Sequence, residues 1–313
     1  MTMIHCTTVF PCNTEAPTFD IIIPSYNAAR YLPATIESVI TQTYKSWRIL
    51  LVDDGSTDET GEILEPYRKS LGEKLVYLRQ PNGGMCQARN AAIRNSSAKF
   101  LAFLDADDTW LPCRLRESLN AFRRRPEIGL DYGYNSRVDA DGEVIDVFTD
   151  KGKHGEGWIV SHLYMRSLDV PCLTVTVRRE CIDEVGNFDE GLQATEDRDL
   201  WLRIATRYQV ALIPKVIAQY RISPSALTSD PDRMLQGQLQ FIAKHFGRPG
   251  CGPRERRVAL SRAYRQRAEA LAQRGQMRSA LLSAARALAW QPTSPQNART
   301  TTSLSLRYTG LLR

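Results

Sequence analysis

With 313 residues, 42% hydrophobic and 24% charged, the chain has an ordinary globular composition and room for one large α/β core. No apolar run approaches the ~18 residues of a membrane-spanning helix, and no Cys-x-x-Cys pair occurs among seven scattered cysteines. The first excludes a helical membrane span, and the second argues against a zinc site and a disulfide framework. Residues 1–18 lack the apolar stretch of a secretory signal and read as a loose leader, so a cytoplasmic product with reduced thiols is expected.

The net charge of +6 is uneven. Residues 248–313 carry 13 Arg, no Lys and two acids, a balance of +11 against −5 for the remainder. Such asymmetry points to an anionic partner for the tail, such as a membrane surface, or to a solvated Arg-rich helix face. The basic residues lack interleaved aromatics, so nucleic acid is not an expected partner.

Phe19 to Ile23 reads as a buried strand ending at Pro24-Ser25-Tyr26-Asn27, followed by a helix within Tyr31–Tyr44. Arg48 to Val52 is a second strand, ending at Asp53-Asp54-Gly55-Ser56-Thr57-Asp58, with Ser56 or Thr57 expected to cap the next helix. Lys74 to Leu78 is a third strand. It leads through Gln80-Pro81-Asn82-Gly83-Gly84 into a helix with Ala88, Ala91, Ala92 and Ile93 at packing positions. The apolar run Phe100 to Leu104 is a central strand that stops at Asp105, Asp107 and Asp108, and Asp108 or Thr109 can cap the next helix. This alternation predicts a mostly parallel sheet with crossover helices, on which Tyr26, Asp53, Asp54 and the Asp105 group share one edge.

Three crowded carboxylates at that edge are costly unless a cation neutralises them, and hard oxygen ligands suit Mg²⁺ or Mn²⁺. The same residues also suit an acidic turn with a helix cap. Beyond a helix at about 110–123, Leu130–Val138 and Glu143–Phe148 flank Asp139-Ala140-Asp141-Gly142, a hairpin signal. Leu173–Val177, Val210–Ile213 and Val216–Tyr220 read as short strands. Thr195 is the expected cap of a helix over Glu196–Ala205. From about 230 the chain reads as helical, with a pair over 260–292 similar to one tetratricopeptide-type unit, and 293–313 shows no periodicity and is expected to be without order.

Ile22-Ile23-Pro24-Ser25-Tyr26-Asn27, Val52-Asp53-Asp54-Gly55-Ser56-Thr57-Asp58, Asn82-Gly83-Gly84 with Ala88-Arg89-Asn90, Leu104-Asp105-Ala106-Asp107-Asp108, and Glu196-Asp197 before Asp199-Leu200-Trp201 occur in order. Together they resemble family 2 inverting glycosyltransferases with the GT-A fold. The resemblance implies a Rossmann-like, mostly parallel mixed sheet with flanking helices over 19–228, and the helical pattern that follows makes 229–292 a separate C-terminal region. It implies a nucleotide-sugar donor, a UDP-sugar foremost, and a glycan or lipid-linked acceptor in surface-polysaccharide synthesis. Asp107 would ligate the metal, Asp105 would reach ribose or metal, and Asp108 is a further candidate ligand. Pro24, Tyr26 and Asp54 would border the nucleobase with Asp53 beside it, while Arg89 and Asn90 would lie beneath the phosphates. Arg89 also suits a structural ion pair, Asn90 a brace, and Asp58 a helix-start acid.

Asp197 resembles the family's general base, although Glu196 and Asp197 also suit the positive end of a helix dipole. One departure is Tyr220-Arg221-Ile222-Ser223, where relatives often carry histidine in place of Ser223. Arg221 is then the candidate for charge compensation at the diphosphate. The competing functions are a nucleotidyltransferase, disfavoured by the lack of a basic glycine loop early in the chain, and a catalytically degenerate sugar-nucleotide-binding or scaffold protein.

Overall fold

The computed structural model describes residues 18–149, 155–192, 194–222 and 230–309. In chain order the strands and helices begin with β1 (Phe19–Ser25), α1 (Leu32–Ile40), β2 (Trp47–Asp53), α2 (Thr60–Leu71), β3 (Leu75–Arg79), α3 (Met85–Arg94) and β4 (Phe100–Phe103). They continue with β5 (Thr109–Trp110), α4 (Arg114–Arg124), β6 (Ile128–Val138), β7 (Val144–Phe148), α5 (Val160–Tyr164), β8 (Thr176–Arg178) and α6 (Arg179–Val185). The remainder is α7 (Glu196–Ala205), β9 (Gln209–Arg221), α8 (Pro231–His245), α9 (Pro253–Gln273), α10 (Met277–Trp290) and α11 (Pro295–Tyr308). No helix among the described residues is long and apolar enough to cross a membrane.

The chain divides into two units. The first comprises Met1–Trp158, Val170–Asp189 and Arg203–Ser223 and holds every strand among the described residues. Its sheet runs β3-β2-β1-β4-β8-β6-β9-β5, with β7 on β6. β1 to β4 pair parallel to one another, and β6 pairs parallel to β9; β8 runs antiparallel between β4 and β6, and β5 and β7 add antiparallel strands on β9 and β6. The crossover helices cover both faces of the parallel strands, so Ile21, Ile22 and Ile23 are all fully buried. Each such side chain contributes roughly 1.5–3 kcal/mol. Phe19 stacks on Phe100 at 5.3 Å and Phe100 on Phe122 at 4.6 Å.

Register sets the edge where the loops emerge. Ile22 is opposite both Leu50 and Phe103, and Ser25 is opposite Asp53, so the chains leaving β1, β2 and β4 do so at the same edge of the sheet. At the other end of β1, Asp20 is also buried, but its carboxylate is satisfied by Arg48 at 2.9 Å and by Ser96, Ser97 and Ala98. An acid on the wrong edge is thus a structural ion-pair partner.

Several local expectations are corrected. Thr109 and Trp110 form a strand on β9 instead of capping a helix, and α4 starts only at Arg114. α2 starts at Thr60, and the groups before it serve the neighbouring loop. Ser56 Oγ accepts from Asn27 N, Asn27 Oδ1 accepts from Thr57 N, and Asp58 accepts from Ala29 N and Thr60 N. The two strands expected over 210–220 are one, β9, which absorbs Pro214 beside a register shift against β6.

The second unit comprises Ile159–Asp169, Glu190–Leu202 and Pro224–Arg313. The division therefore does not follow the single boundary expected at 228/229. The expectation of no order over 293–313 is also corrected, because 295–308 form α11. Its Ser294 cap accepts from Asn297 N, and Leu304 packs with Ala268, Leu271, Ala280 and Ala284. Tertiary burial supplies what the Thr-rich stretch lacks in helix propensity.

One buried pair in the first unit gives a pH prediction. Arg114 and Asp131 are both fully buried, with Nη1 3.8 Å from Oδ1, and share Ser118 and Thr176 as partners. Burial raises the Asp131 carboxyl to about 6, only partly opposed by Arg114. A folded-state value above the unfolded one means the native state holds the proton more tightly, so this contribution to stability is lost as pH rises from about 4 through 6. Asp131→Asn should remove the dependence. Wild type should lose on the order of 3 kcal/mol relative to the variant between pH 4 and 7, read from denaturant melts. An equal difference at both pH values would mean that Asp131 titrates normally.

Candidate active site

The first unit gathers nearly all the motif residues at the C-terminal edge of its parallel strands. Pro24 is buried at the end of β1, and Tyr26 just beyond it is 52% exposed, an accessible aromatic at the crevice. Asp54 N donates to Ser25 O, and Gln80 N to Asp53 O, so the loops after β1, β2 and β3 are tied in sequence. Asp53 accepts from Ser56 N at 2.8 Å and from the Tyr77 hydroxyl at 2.8 Å. Asp54 accepts from Gln80 Nε2 at 2.7 Å, Gly83 N at 2.9 Å and Gly84 N at 2.7 Å. Both carboxylates are buried; Asp54 shapes the glycine loop that opens α3, while Asp53 braces its own turn against β3. Gly55 is required there: its φ is +80°, and a Cβ would meet Asn82 N at 2.9 Å.

The loop after β4 is held from three sides. Arg89, 2% exposed on α3, pairs with Asp105 Oδ1 at 2.7 Å and lies over the Phe188 ring. Arg221, at the end of β9, donates from N to Asp108 Oδ1 (2.8 Å) and from Nε to the Asp107 carbonyl (3.0 Å). Its Nη1 reaches the carbonyls of Asp139 and Ala140. From α1, the Thr35 hydroxyl lies 2.9 Å from Ala106 O and 2.8 Å from Asp108 O. Asn90, next to Arg89, clasps the backbone N–H and carbonyl of Phe188, each at 3.0 Å, which is a bracing role.

Electrostatics single out Asp107 and Asp108. Burial, then the neighbouring Asp105 charge, raises the Asp107 carboxyl to about 6. Asp108 is 1% exposed and is raised well above the usual carboxylate range by burial, Asp105 and Asp107. Its Oδ2 is buried with no hydrogen-bond partner among the described residues. A carboxylate so placed must either keep a proton or face a cation. No group of three or more His, Cys, Asp or Glu side chains converges into a cage among the described residues. One or two carboxylates are what Mg²⁺ or Mn²⁺ takes when phosphates and waters complete its shell, so Asp107 and the open oxygen of Asp108 fit such an ion.

Asp197 belongs to the second unit. It is half-buried in the first turn of α7, and its Oδ1 accepts from Arg198 N at 2.6 Å. Thr195 precedes the helix with φ +68°, and its hydroxyl points to the Gly237 carbonyl at 3.4 Å instead of capping α7. Two residues on from Asp197, the fully buried Asp199 holds α7 to α8: His245 Nε2 and Lys244 Nζ lie 2.7 and 2.6 Å from its Oδ1. Burial lowers the His245 pKa, favouring the neutral ring as a donor to Asp199. Neither Asn90–Phe188 nor Asp199–His245 has a sequence signal, because the partners lie 98 and 46 residues apart. Ser223 lies outside the described residues.

A mixed α/β sheet with an acidic loop after its central parallel strand and a glycine loop beside it is an architecture of the GT-A glycosyltransferase type. The chain belongs to glycosyl transferase family 2, whose family model matches residues 20–158. It is 30% identical over 217 residues to the putative teichuronic acid biosynthesis glycosyltransferase TuaG of Bacillus subtilis, covering 68% of this chain and 82% of TuaG. It is 29% identical over 231 residues to the UDP-Glc:alpha-D-GlcNAc-diphosphoundecaprenol beta-1,3-glucosyltransferase WfgD of Escherichia coli, covering 73% and 87%. In fold it is similar to the mannosyltransferase PcManGT of Pyrobaculum calidifontis, solved with GDP-Man and Mn²⁺. The TM-score is 0.61 at 20% identity, over 94% of this chain and 81% of that one.

Proposed function

We propose that the chain is a metal-dependent, inverting hexosyltransferase that moves a sugar from a UDP-sugar to a glycan or lipid-linked acceptor in cell-surface polysaccharide synthesis. The observation that carries this reading is the Asp105–Asp108 loop, with its raised, partly unsatisfied carboxylates fixed at the ligand-binding edge of the sheet. The names of TuaG and WfgD support the acceptor class, and the Mn²⁺ of PcManGT supports the ion.

On this reading Pro24 and Tyr26 border the base, and Asp53 and Asp54 hold the loop that meets the nucleoside and diphosphate. Asp107 and Asp108 would hold Mn²⁺ or Mg²⁺, with Asp105 turned to ribose or metal. The ion would stabilise negative charge developing on the departing diphosphate. Arg89 and Arg221 act as positioning residues: the first aims Asp105, the second fixes the Asp107 backbone and Asp108. Asp197 takes the proton of the attacking acceptor hydroxyl, which calls for hydrogen-bond reach in the loaded enzyme. The basic segment after residue 247 would favour work at the inner face of the cell membrane, in peripheral contact with anionic lipid.

One base and no assigned nucleophile imply a single displacement. NMR of the fresh product should therefore give the anomeric configuration opposite to the donor's. Retention would overturn the mechanism, and failure of the chain to turn over any UDP-, GDP- or dTDP-sugar would favour a degenerate binding protein.

A further inference from the structure

The second unit contains a cavity of about 410 Å³ between α9 and the turn joining α10 to α11. It is lined by Arg262 and Arg265 of α9, by Arg299 of α11, and by polar groups including Gln291, Thr293 and Asn297. No acid lines it. Val258, Arg262 and Arg265 recur at helical spacing on one face of α9, so the two arginines are held close by backbone geometry. Like charges at that spacing destabilise a helix unless something offsets them.

The offsets present are partial. Arg265 Nη1 pairs with Glu269 at 2.8 Å. Arg262 Nη1 donates to the Met165 carbonyl at 3.2 Å, and burial followed by the Arg265 charge lowers its pKa. Asp169 opposes that lowering in part. Arg299 is exposed and forms no ion pair among the described residues. The rim is built in advance. Asn297 is 3% exposed, and its Nδ2 lies 2.8 Å from Ser261 Oγ, 3.0 Å from Ala287 O and 3.2 Å from Gln291 O, which locks the turn against α9.

We propose that this cavity binds a phosphate-bearing anion, with Arg262 and Arg299 as its principal donors and Arg265 assisting. Guanidinium groups present paired N–H donors that match phosphate oxygens, and two or three of them around one cavity form a charge-assisted site. The phosphate could be free or carried by a lipid headgroup. The proposal stands independently of the reaction at the Asp105–Asp108 loop.

The test uses the full chain without nucleotide sugar, in EDTA, so that its outcome is separate from that of the catalytic reading. Inorganic phosphate and pyrophosphate are titrated by calorimetry against wild type and Arg262→Gln/Arg299→Gln. Phosphatidylcholine vesicles with and without phosphatidic acid form the second arm. Roughly tenfold or greater weakening of phosphate or pyrophosphate binding in the variant supports a soluble ligand. Selective loss of binding to phosphatidic acid vesicles supports a lipid-borne phosphate. Equal behaviour of wild type and variant in both arms overturns the proposal. Arg299→Gln alone changes an exposed side chain, so it keeps the test valid should the double variant fold poorly.

Discussion

Asp107→Ala is expected to abolish Mn²⁺-dependent binding of the donor and, with it, turnover. Charge stabilisation by a bound ion supplies several kcal/mol to such reactions, so a loss on the order of 10³-fold in rate is expected. Folding should survive, because Asp107 is held against its own ionisation: burial and Asp105 raise it to about 6, and removing it relieves a strained cluster. The expected melting temperature without ligand is therefore unchanged or higher. A thermal-shift series with UDP-, GDP- and dTDP-sugars, with and without Mn²⁺, reads the binding directly, since a ligand of the native state raises apparent stability by mass action. Persistence of the Mn²⁺-dependent shift in Asp107→Ala would remove this residue from the metal site.

Asp197→Asn should separate chemistry from binding. The amide preserves shape and can still accept from Arg198 N, but it cannot take a proton from the acceptor. Donor binding in the presence of Mn²⁺ should stay near wild type, while transfer falls by ~10²- to 10⁴-fold, the usual contribution of a general base. A drop below about tenfold would mean that Asp197 serves the start of α7 and its dipole. The contrast with Asp107→Ala is the informative result: one variant fails at the donor, the other at the acceptor.

Much of the candidate site is legible in the sequence because strands buried on both faces leave a plain trace. Phe19–Ile23, Arg48–Val52 and Phe100–Leu104 are apolar runs that break at polar or acidic clusters, and the observed strands fall within two residues of those bounds. Parallel alternation then places the breaks at one edge, where Ser25–Asp53 and Ile22–Phe103 registers put them. Caps are less legible. Ser56, Thr57 and Asp108 are residues of the right type at the right place, but each finds a partner in another loop or strand. Short polar side chains bond to whichever backbone group comes within reach, and local sequence does not fix which one does.

The sequence by itself determined the family, the parallel half of the sheet and the acids and glycines at its edge, since periodicity and turn chemistry act over a few residues. Tertiary structure decided what holds those groups. Arg221 reaches back more than a hundred residues to Asp107 and Asp108, Thr35 reaches forward to the same loop, and Asn90 finds Phe188. It also decided that α11 forms, through burial of Leu304 and Asn297, and that the segment bearing Asp197 belongs to the second unit. The physical reason is common to all of them. A buried donor, acceptor or methyl group is worth little until its partner arrives, and only the closed chain brings together partners so far apart in sequence.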